Sequence, residues 1–248
     1  MNRHRLKVAR KLRYAADIFG LEFRWPGLKP WPGQFFQVQV DDNLDIFLNR
    51  PISIASYRSG RLLLVIRVVG RGTKVLSAKE PGDYVTLFGP FGNAFKPVRK
   101  KSLVIAGGIG MAPLHFLCEH LFEKKVGFDV LYGVRDRKEF IFRNDLERMA
   151  ERVTLVAERG YKKKETVTSR IVEMNLVDIC VGYACGPKGM LVALQRLRLP
   201  FPVHAFCEDF MGCGCGLCLG CAIRYRGAYH RICVDGPVFN LGEIDFEG

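Results

Sequence analysis

Along the first hundred residues, apolar positions recur every second residue between short polar breaks. Gln34-Phe-Phe-Gln-Val-Gln-Val40 alternates and is rich in aromatic and β-branched side chains, as a half-buried strand should be. Arg61-Leu-Leu-Leu-Val-Ile-Arg-Val-Val69 predicts a second strand and Tyr84-Val-Thr-Leu-Phe88 a third. Turn clusters such as Lys29-Pro-Trp-Pro-Gly33 punctuate them. Six or so short strands with no helical period predict a small antiparallel β-barrel over residues 1–98.

From Ser102 the pattern changes. Leu103-Val-Ile-Ala106 is a continuous apolar run, as in a parallel strand buried on both faces. Gly107-Gly-Ile-Gly-Met-Ala-Pro113 follows, then a helical stretch from Leu114 to Lys124. Phe128–Gly133, Val153–Val156 and Val181–Cys185 predict further strands with helices between them. The last opens onto Gly186-Pro187-Lys188-Gly189-Met190 and a helix from Met190 to Leu197. This alternation predicts an α/β nucleotide-binding domain over 99–203. The remaining 204–248 form a cysteine-rich tail, too short for a substantial core and in need of a staple.

Cysteine usage says what the staple is. Of nine cysteines, five fall between Cys207 and Cys221, a crowding that favours metal over disulfides. Cys213, Cys218, Cys221 and Cys233 read C-x4-C-x2-C-x11-C. The first three match plant-type [2Fe–2S] spacing, which also needs a distant fourth cysteine. Soft thiolates suit such clusters. Gly212, Gly214, Gly216 and Gly220 are expected to supply φ > 0 for a loop that wraps the cluster. Four thiolates also suit zinc, although the x4 spacing and the glycine density favour iron–sulfur. Cys215 is an extra thiol, either a spare ligand or a packed side chain. Cys207 is an alternate ligand or, the favoured reading, structural, and Cys118 and Cys180 read as buried small hydrophobes. The five histidines form no ligand pattern.

The net charge is +13. Its basic residues are spread from Arg3 to Arg13, from Lys96 to Lys101 and over Lys162 to Lys164, with no aromatic-interleaved basic motif. Nucleic acid is therefore not the expected partner; a protein or nucleotide phosphates are. No run of about 18 apolar residues predicts a membrane span. The N-terminus has no apolar leader core, and a cytoplasmic location is expected.

Three turns carry candidate phosphate chemistry. In Asn49-Arg50-Pro51-Ile52-Ser53, Arg50 can hold a phosphate and Ser53 can hydrogen-bond a ring nitrogen. Gly70-Arg71-Gly72-Thr73 resembles a phosphate-cradling turn at a helix start. Taken alone, both also suit a strand-end arginine and loop glycines. Gly107, Gly108 and Gly110 sit between a strand and a helix, the context of a dinucleotide site, although Pro113 replaces the third glycine of the usual fingerprint.

Arg50-Pro-Ile-Ser53, Gly89-Pro-Phe-Gly92, Ala106-Gly-Gly-Ile-Gly-Met-Ala-Pro113 and Cys185-Gly-Pro187, in that order, resemble the ferredoxin–NADP reductase superfamily. The tail, with its spaced cysteines and Cys233-Val-Asp-Gly-Pro-Val-Phe239, is similar to the electron-transfer subunits of dihydroorotate dehydrogenase B. The resemblance implies a β-barrel FAD domain, an α/β NAD domain and a small C-terminal [2Fe–2S] segment. It implies that Arg50, Pro51, Ile52 and Ser53 contact FAD and that Gly70, Gly72 and Thr73 sit at its pyrophosphate. Gly107, Gly108 and Gly110 would approach NAD phosphates, and Cys185, Gly186 and Pro187 would face the nicotinamide. Cys213, Cys218, Cys221 and Cys233 would hold the cluster. The expected partner is a dihydroorotate dehydrogenase catalytic subunit of pyrimidine biosynthesis, in a heterotetramer. FAD exchanges two electrons with NAD(H) and one at a time with a cluster, so it belongs between them, and no side-chain acid or base is expected to be essential. Related subunits of an NADH-dependent ferredoxin:NADP oxidoreductase or a sulfhydrogenase share this layout. A flavin-free scaffold is a further class, which stoichiometric yellow FAD would exclude.

Overall fold

The computed structural model describes residues 2–40, 46–160 and 165–246; the basic run 162–164 lies outside them. The N-terminal part contains β1 (Arg3–Arg13), β2 (Ile18–Arg24), β3 (Phe35–Val38), β4 (Arg50–Arg58), β5 (Arg61–Arg67), α1 (Arg71–Ser77) and β6 (Tyr84–Phe91). The strands close into an antiparallel barrel in the order β1-β2-β5-β4-β3-β6. Closure removes the exposed edges that short strands would otherwise present. β1 is the longest strand, yet its sequence reads first as a basic run. Arg3, Arg5 and Lys7 point to solvent while His4, Leu6 and Val8 turn inward, so the period of two is present with its polar half made of cations.

The second part contains β7 (Ser102–Gly107), α2 (Met111–Glu123), β8 (Phe128–Asp136), α3 (Arg143–Met149), β9 (Arg152–Arg159), α4 (Val167–Ile171), β10 (Val181–Cys185), α5 (Lys188–Arg196) and β11 (Val203–Phe206). The tail adds β12 (Ala222–Tyr225), β13 (Ala228–Arg231), α6 (Ile232–Asp235), β14 (Val238–Asn240) and β15 (Ile244–Asp245). Strands β9, β8, β7, β10 and β11 pair in parallel, and β14 joins the β11 edge antiparallel. The expected boundary at 203 thus falls on the first residue of a sheet strand, and the tail returns to that same sheet. It has too little apolar area to stand alone. Met211, Cys221, Ile232, Cys233 and Phe239 instead share one buried cluster with Leu103, Ile105 and Leu131 of the sheet.

Cys118 is buried in α2, as expected, but Cys180 is exposed. It lies in the approach to β10 between buried Ile179 and Val181, and alternation sends its side chain outward.

Helix α2 fixes the barrel to the sheet through polar groups. His115 Nδ1 lies 2.8 Å from the Ala55 carbonyl oxygen of β4. Glu119 accepts from Ser56 Oγ at 2.7 Å and pairs with Arg58 Nε at 2.6 Å. Both α2 side chains are buried, and a buried carboxylate without such partners would be costly. This joint sets the distance between the two walls of the cleft described next.

Candidate functional site

A cleft of about 990 Å³ opens where the barrel, the glycine turn after β7 and the cysteine-rich tail meet. Its walls include Arg50 to Ser53, Gly70 to Thr73, Ile109, Pro113, Glu208 to Gly212, and Cys218. A mostly apolar cavity of this size with a few polar groups suits a large organic cofactor.

At its barrel end, two features distant in sequence become one site. Arg50 opens β4 and donates from Nη1 to the Leu48 carbonyl at 2.6 Å. Its guanidinium then lies directly over Gly72, where an added Cβ would come within 2.6 Å of Nε and Nη2. Gly72 is glycine because the arginine occupies that space. Thr73 organises the start of α1: its Oγ1 accepts from the N–H of Val69 at 2.9 Å and Gly70 at 3.2 Å, and donates to the Gly70 carbonyl at 3.1 Å. A cation beside the first turn of a helix, whose N–H groups lack intrahelical partners, makes an anion-binding corner. Pro51, Ile52 and Ser53 continue the wall from there.

The glycine turn is built differently. A Cβ at Gly110 would run into the Cys185 carbonyl, and one at Gly107 would lie 2.7 Å from Met190 Sδ and 2.9 Å from Pro187 Cδ. Gly186 in turn lies against the Gly107 backbone, where an added Cβ would come within 3.1 Å of the Gly107 Cα. Gly107 and Gly110 therefore let the turns after β7 and β10 touch, which brings Gly107, Gly108, Gly110, Cys185, Gly186 and Pro187 together. Gly108 alone of the three turn glycines has both a left-handed φ, of 54°, and room for a Cβ, whose nearest neighbour would be Arg67 Nη1 at 3.8 Å. The buried Tyr132 hydroxyl donates to its carbonyl at 3.1 Å.

Cys185 is fully buried, and its sulfur lies 4.0 Å from Glu208 Oε1. Burial, and then Glu208, pushes this thiol well up. Glu208 meets solvent through the cleft mouth, yet protein surrounds it on the remaining sides, and that desolvation raises its carboxyl too. The sequence reading passed over Glu208. One signal was available: it lies just past the C-terminal end of a parallel strand, where α/β sheets place their ligands.

The cysteine loop forms the third wall. All nine cysteines are free thiols. Cys221 and Cys233 are buried with their sulfurs 3.2 Å apart. Cys213 accepts N–H bonds from Cys215 at 3.5 Å and Cys218 at 3.4 Å, and Cys218 also turns its thiol to it. Burial alone would push the Cys213 thiol up, but those N–H groups, with that of Leu217, outweigh it and bring it down to about 6. Among the described residues, no three ligating side chains meet at one ion-sized point. The four cysteines instead form two pairs, Cys213 with Cys218 and Cys221 with Cys233. This fits a two-iron cluster, in which four thiolates serve two metals.

Positive φ occurs at Gly214, 70°, and Gly216, 85°, but not at Gly212 or Gly220. The expectation of φ > 0 at all four is corrected on this point. A Cβ at Gly212 would lie 3.3 Å from the Cys218 sulfur and one at Gly220 3.6 Å, so these two make room for that sulfur. Leu219, at φ 59°, takes the left-handed turn instead. Phe210, Leu217 and Leu219 are exposed around the loop, an apolar rim of the kind that marks a protein contact.

Residues 208–245 match the iron–sulfur cluster binding domain of dihydroorotate dehydrogenase B, and residues 104–196 match the oxidoreductase NAD-binding domain. The chain is 36% identical over 248 residues to the electron transfer subunit of dihydroorotate dehydrogenase B (NAD(+)) from Caldanaerobacter subterraneus subsp. tengcongensis, covering 97% of each chain. It is 34% identical over 222 residues to the corresponding subunit from Bacillus caldolyticus, covering 86% of each. Among solved structures, an NADH-dependent reduced ferredoxin-NADP oxidoreductase superposes with TM-score 0.87 at 24% identity, over 98% of this chain and 90% of that one. Phthalate dioxygenase reductase, a modular carrier of electrons from pyridine nucleotides to [2Fe-2S], gives 0.65 at 20% identity, over 85% and 70%. The chain belongs to the family of dihydroorotate dehydrogenase B electron transfer subunits.

Proposed function

We propose that this family member carries electrons between NAD(H), FAD and a [2Fe–2S] cluster on behalf of a dihydroorotate dehydrogenase catalytic subunit. The observation that carries this reading is the single cleft: the flavin-type barrel segment, the nucleotide-domain turn and a cluster cysteine all line one space. When bound, FAD exchanges a hydride's two electrons with NAD(H) and passes electrons singly to a cluster.

The chain's own residues hold and orient. Arg50 and the Gly70–Thr73 corner hold the FAD pyrophosphate, and Pro51, Ile52 and Ser53 orient the ring. Gly108 takes the NAD phosphate side of the glycine turn, where Gly107 and Gly110 set its shape. Cys185, Gly186 and Pro187 present the nicotinamide face, with the Glu208 carboxyl beside it. Cys213, Cys218, Cys221 and Cys233 hold the cluster, and Cys215 is a packed thiol whose N–H supports Cys213. The units 1–98, 99–203 and 204–248 serve FAD, NAD and the cluster in turn, with β14 tying the third to the second.

The exposed Phe210, Leu217 and Leu219 fit a catalytic subunit that docks over the cluster loop in a heterotetramer. No helix among the described residues is long and apolar enough to cross a membrane; the cytoplasm is the proposed location.

A coupled assay tests the reading. The chain is purified anaerobically with the dihydroorotate dehydrogenase catalytic subunit of the same organism, and NADH absorbance is followed after addition of dihydroorotate and NAD+. NADH that appears only with both proteins supports it. A yellow-brown chain that NADH reduces, but that supports no orotate formation, assigns it to the ferredoxin:NADP oxidoreductase type of subunit instead.

A further inference from the structure

Among the described residues, one buried polar side chain has both its polar atoms without a partner. Gln37 of β3 is 1% exposed, and neither Nε2 nor Oε1 makes a hydrogen bond with the described residues. An amide left unpaired in a protein interior costs about 1–3 kcal/mol, so such a group calls for an acceptor or donor that completes it.

The surroundings of Gln37 say what that partner is. Along β3, Phe36 belongs to the barrel core, while Phe35 belongs to the buried cluster that includes Met211, Cys221 and Cys233 of the tail. Gln37, two residues on from Phe35, shares its face. Its amide ends against Gly214, between Cys213 and Cys215: a Cβ there would lie 2.6 Å from Gln37 Nε2 and 2.6 Å from Cγ. Gly214 therefore leaves a side-chain-sized space at the cluster loop, and the glutamine fills it. On the other side, Gln37 pairs in register with Pro51, inside the Arg50–Ser53 segment that lines the cleft.

We propose that Gln37 donates an N–H from the barrel to a sulfur of the [2Fe–2S] cluster, a cysteinyl or bridging sulfide, and thereby sets its reduction potential. An amide carries two donors and an acceptor, and an anionic cluster sulfur beside Gly214 is the acceptor that its buried N–H groups lack. Hydrogen bonds to cluster sulfurs are a main determinant of potential, because they stabilise the added negative charge of the reduced form. The donor comes from the strand next to the flavin segment. The barrel thus tunes the carrier that its own cofactor must exchange electrons with.

The inference rests on the cluster assignment above, and the experiment separates the two. The holoprotein with its catalytic subunit is prepared anaerobically as wild type, Gln37→Leu and Gln37→Met, the last keeping the side-chain length. The cluster is titrated by EPR-monitored reduction, and its Fe–S stretching modes are read by resonance Raman. Both variants are expected to keep iron and FAD and to become roughly tenfold harder to reduce, a shift of about 59 mV to lower potential for one electron, with shifted Fe–S modes. In the wild type, pulsed EPR after 15N-glutamine labelling should show a nitrogen coupling that both variants lack. Absence of that coupling in wild type overturns the inference whether or not the variants assemble, as do loaded variants with unchanged potential and spectra. A wild-type protein with no iron–sulfur signal overturns the cluster assignment itself.

Discussion

The turn Gly107–Gly110 and the loop Gly212–Gly220 are both dense in glycine, and they use it for different ends. In the first, Gly107 and Gly110 are glycine because the Cys185 carbonyl, Pro187 and Met190 occupy the space of their side chains. The turn is complete from its own chain. In the second, Gly214 and Gly216 take a left-handed φ, and Gly212 and Gly220 leave room beside the Cys218 sulfur. That loop points N–H groups at Cys213 and faces an orphaned glutamine amide. One glycine set closes a contact between two turns of the same chain, and the other shapes a receptacle. Glycine content alone does not distinguish them; what a Cβ would strike does.

Breaking the two regions should therefore give different phenotypes. The largest effect is expected in the loop: Cys221→Ala removes a proposed cluster ligand, so iron content and NADH-linked electron delivery should fall by about 100-fold or more, while urea unfolding of the barrel, followed by Trp25 fluorescence, changes far less. Gly110→Ala, in the turn, should do the reverse. Backbone cannot yield as a flexible side chain can, and overpacking of this kind costs about 1–3 kcal/mol. The urea midpoint should drop, with iron content per folded protein intact.

A smaller effect concerns the helix that anchors the turn. Beside Asp145 of α3, His115 of α2 at 3.6 Å and then Arg148 hold the carboxyl down to about 2, against the opposing effect of burial. A carboxyl lowered in the folded state contributes stability above its unfolded value near 4 and loses it as pH falls toward 2. Asp145→Asn should therefore cost about 1 kcal/mol at neutral pH and flatten the stability loss between pH 4 and 2, as read by urea midpoints across that range. The smallest effect marks a glycine with neither role. Nothing lies within 4 Å of a Cβ at Gly189, inside α5. Gly189→Ala should raise stability by about 0.5–1 kcal/mol, measured as a slightly higher midpoint with electron delivery unchanged.

Much of this molecule is decided by local pattern. The period of two through the barrel, the apolar runs of the parallel sheet and the C-x4-C-x2-C spacing are set by near neighbours in sequence, so they read directly. Val181–Cys185 is a strand with the predicted bounds, and α2 differs from its expected span only at the ends. β1 shows where charge masks period: cations on its outer face hide an alternation that is there. What the sequence alone could not decide depends on residues far apart in the chain. The guanidinium of Arg50 over Gly72, the return of β14 to the sheet edge, Glu208 at Cys185, and Gln37 against Gly214 each join segments whose separation carries no periodic signal. Gln37 makes the point most simply. In the strand it is one polar position among alternating ones, and only closure of the barrel against the tail turns that amide into a buried group in need of a partner.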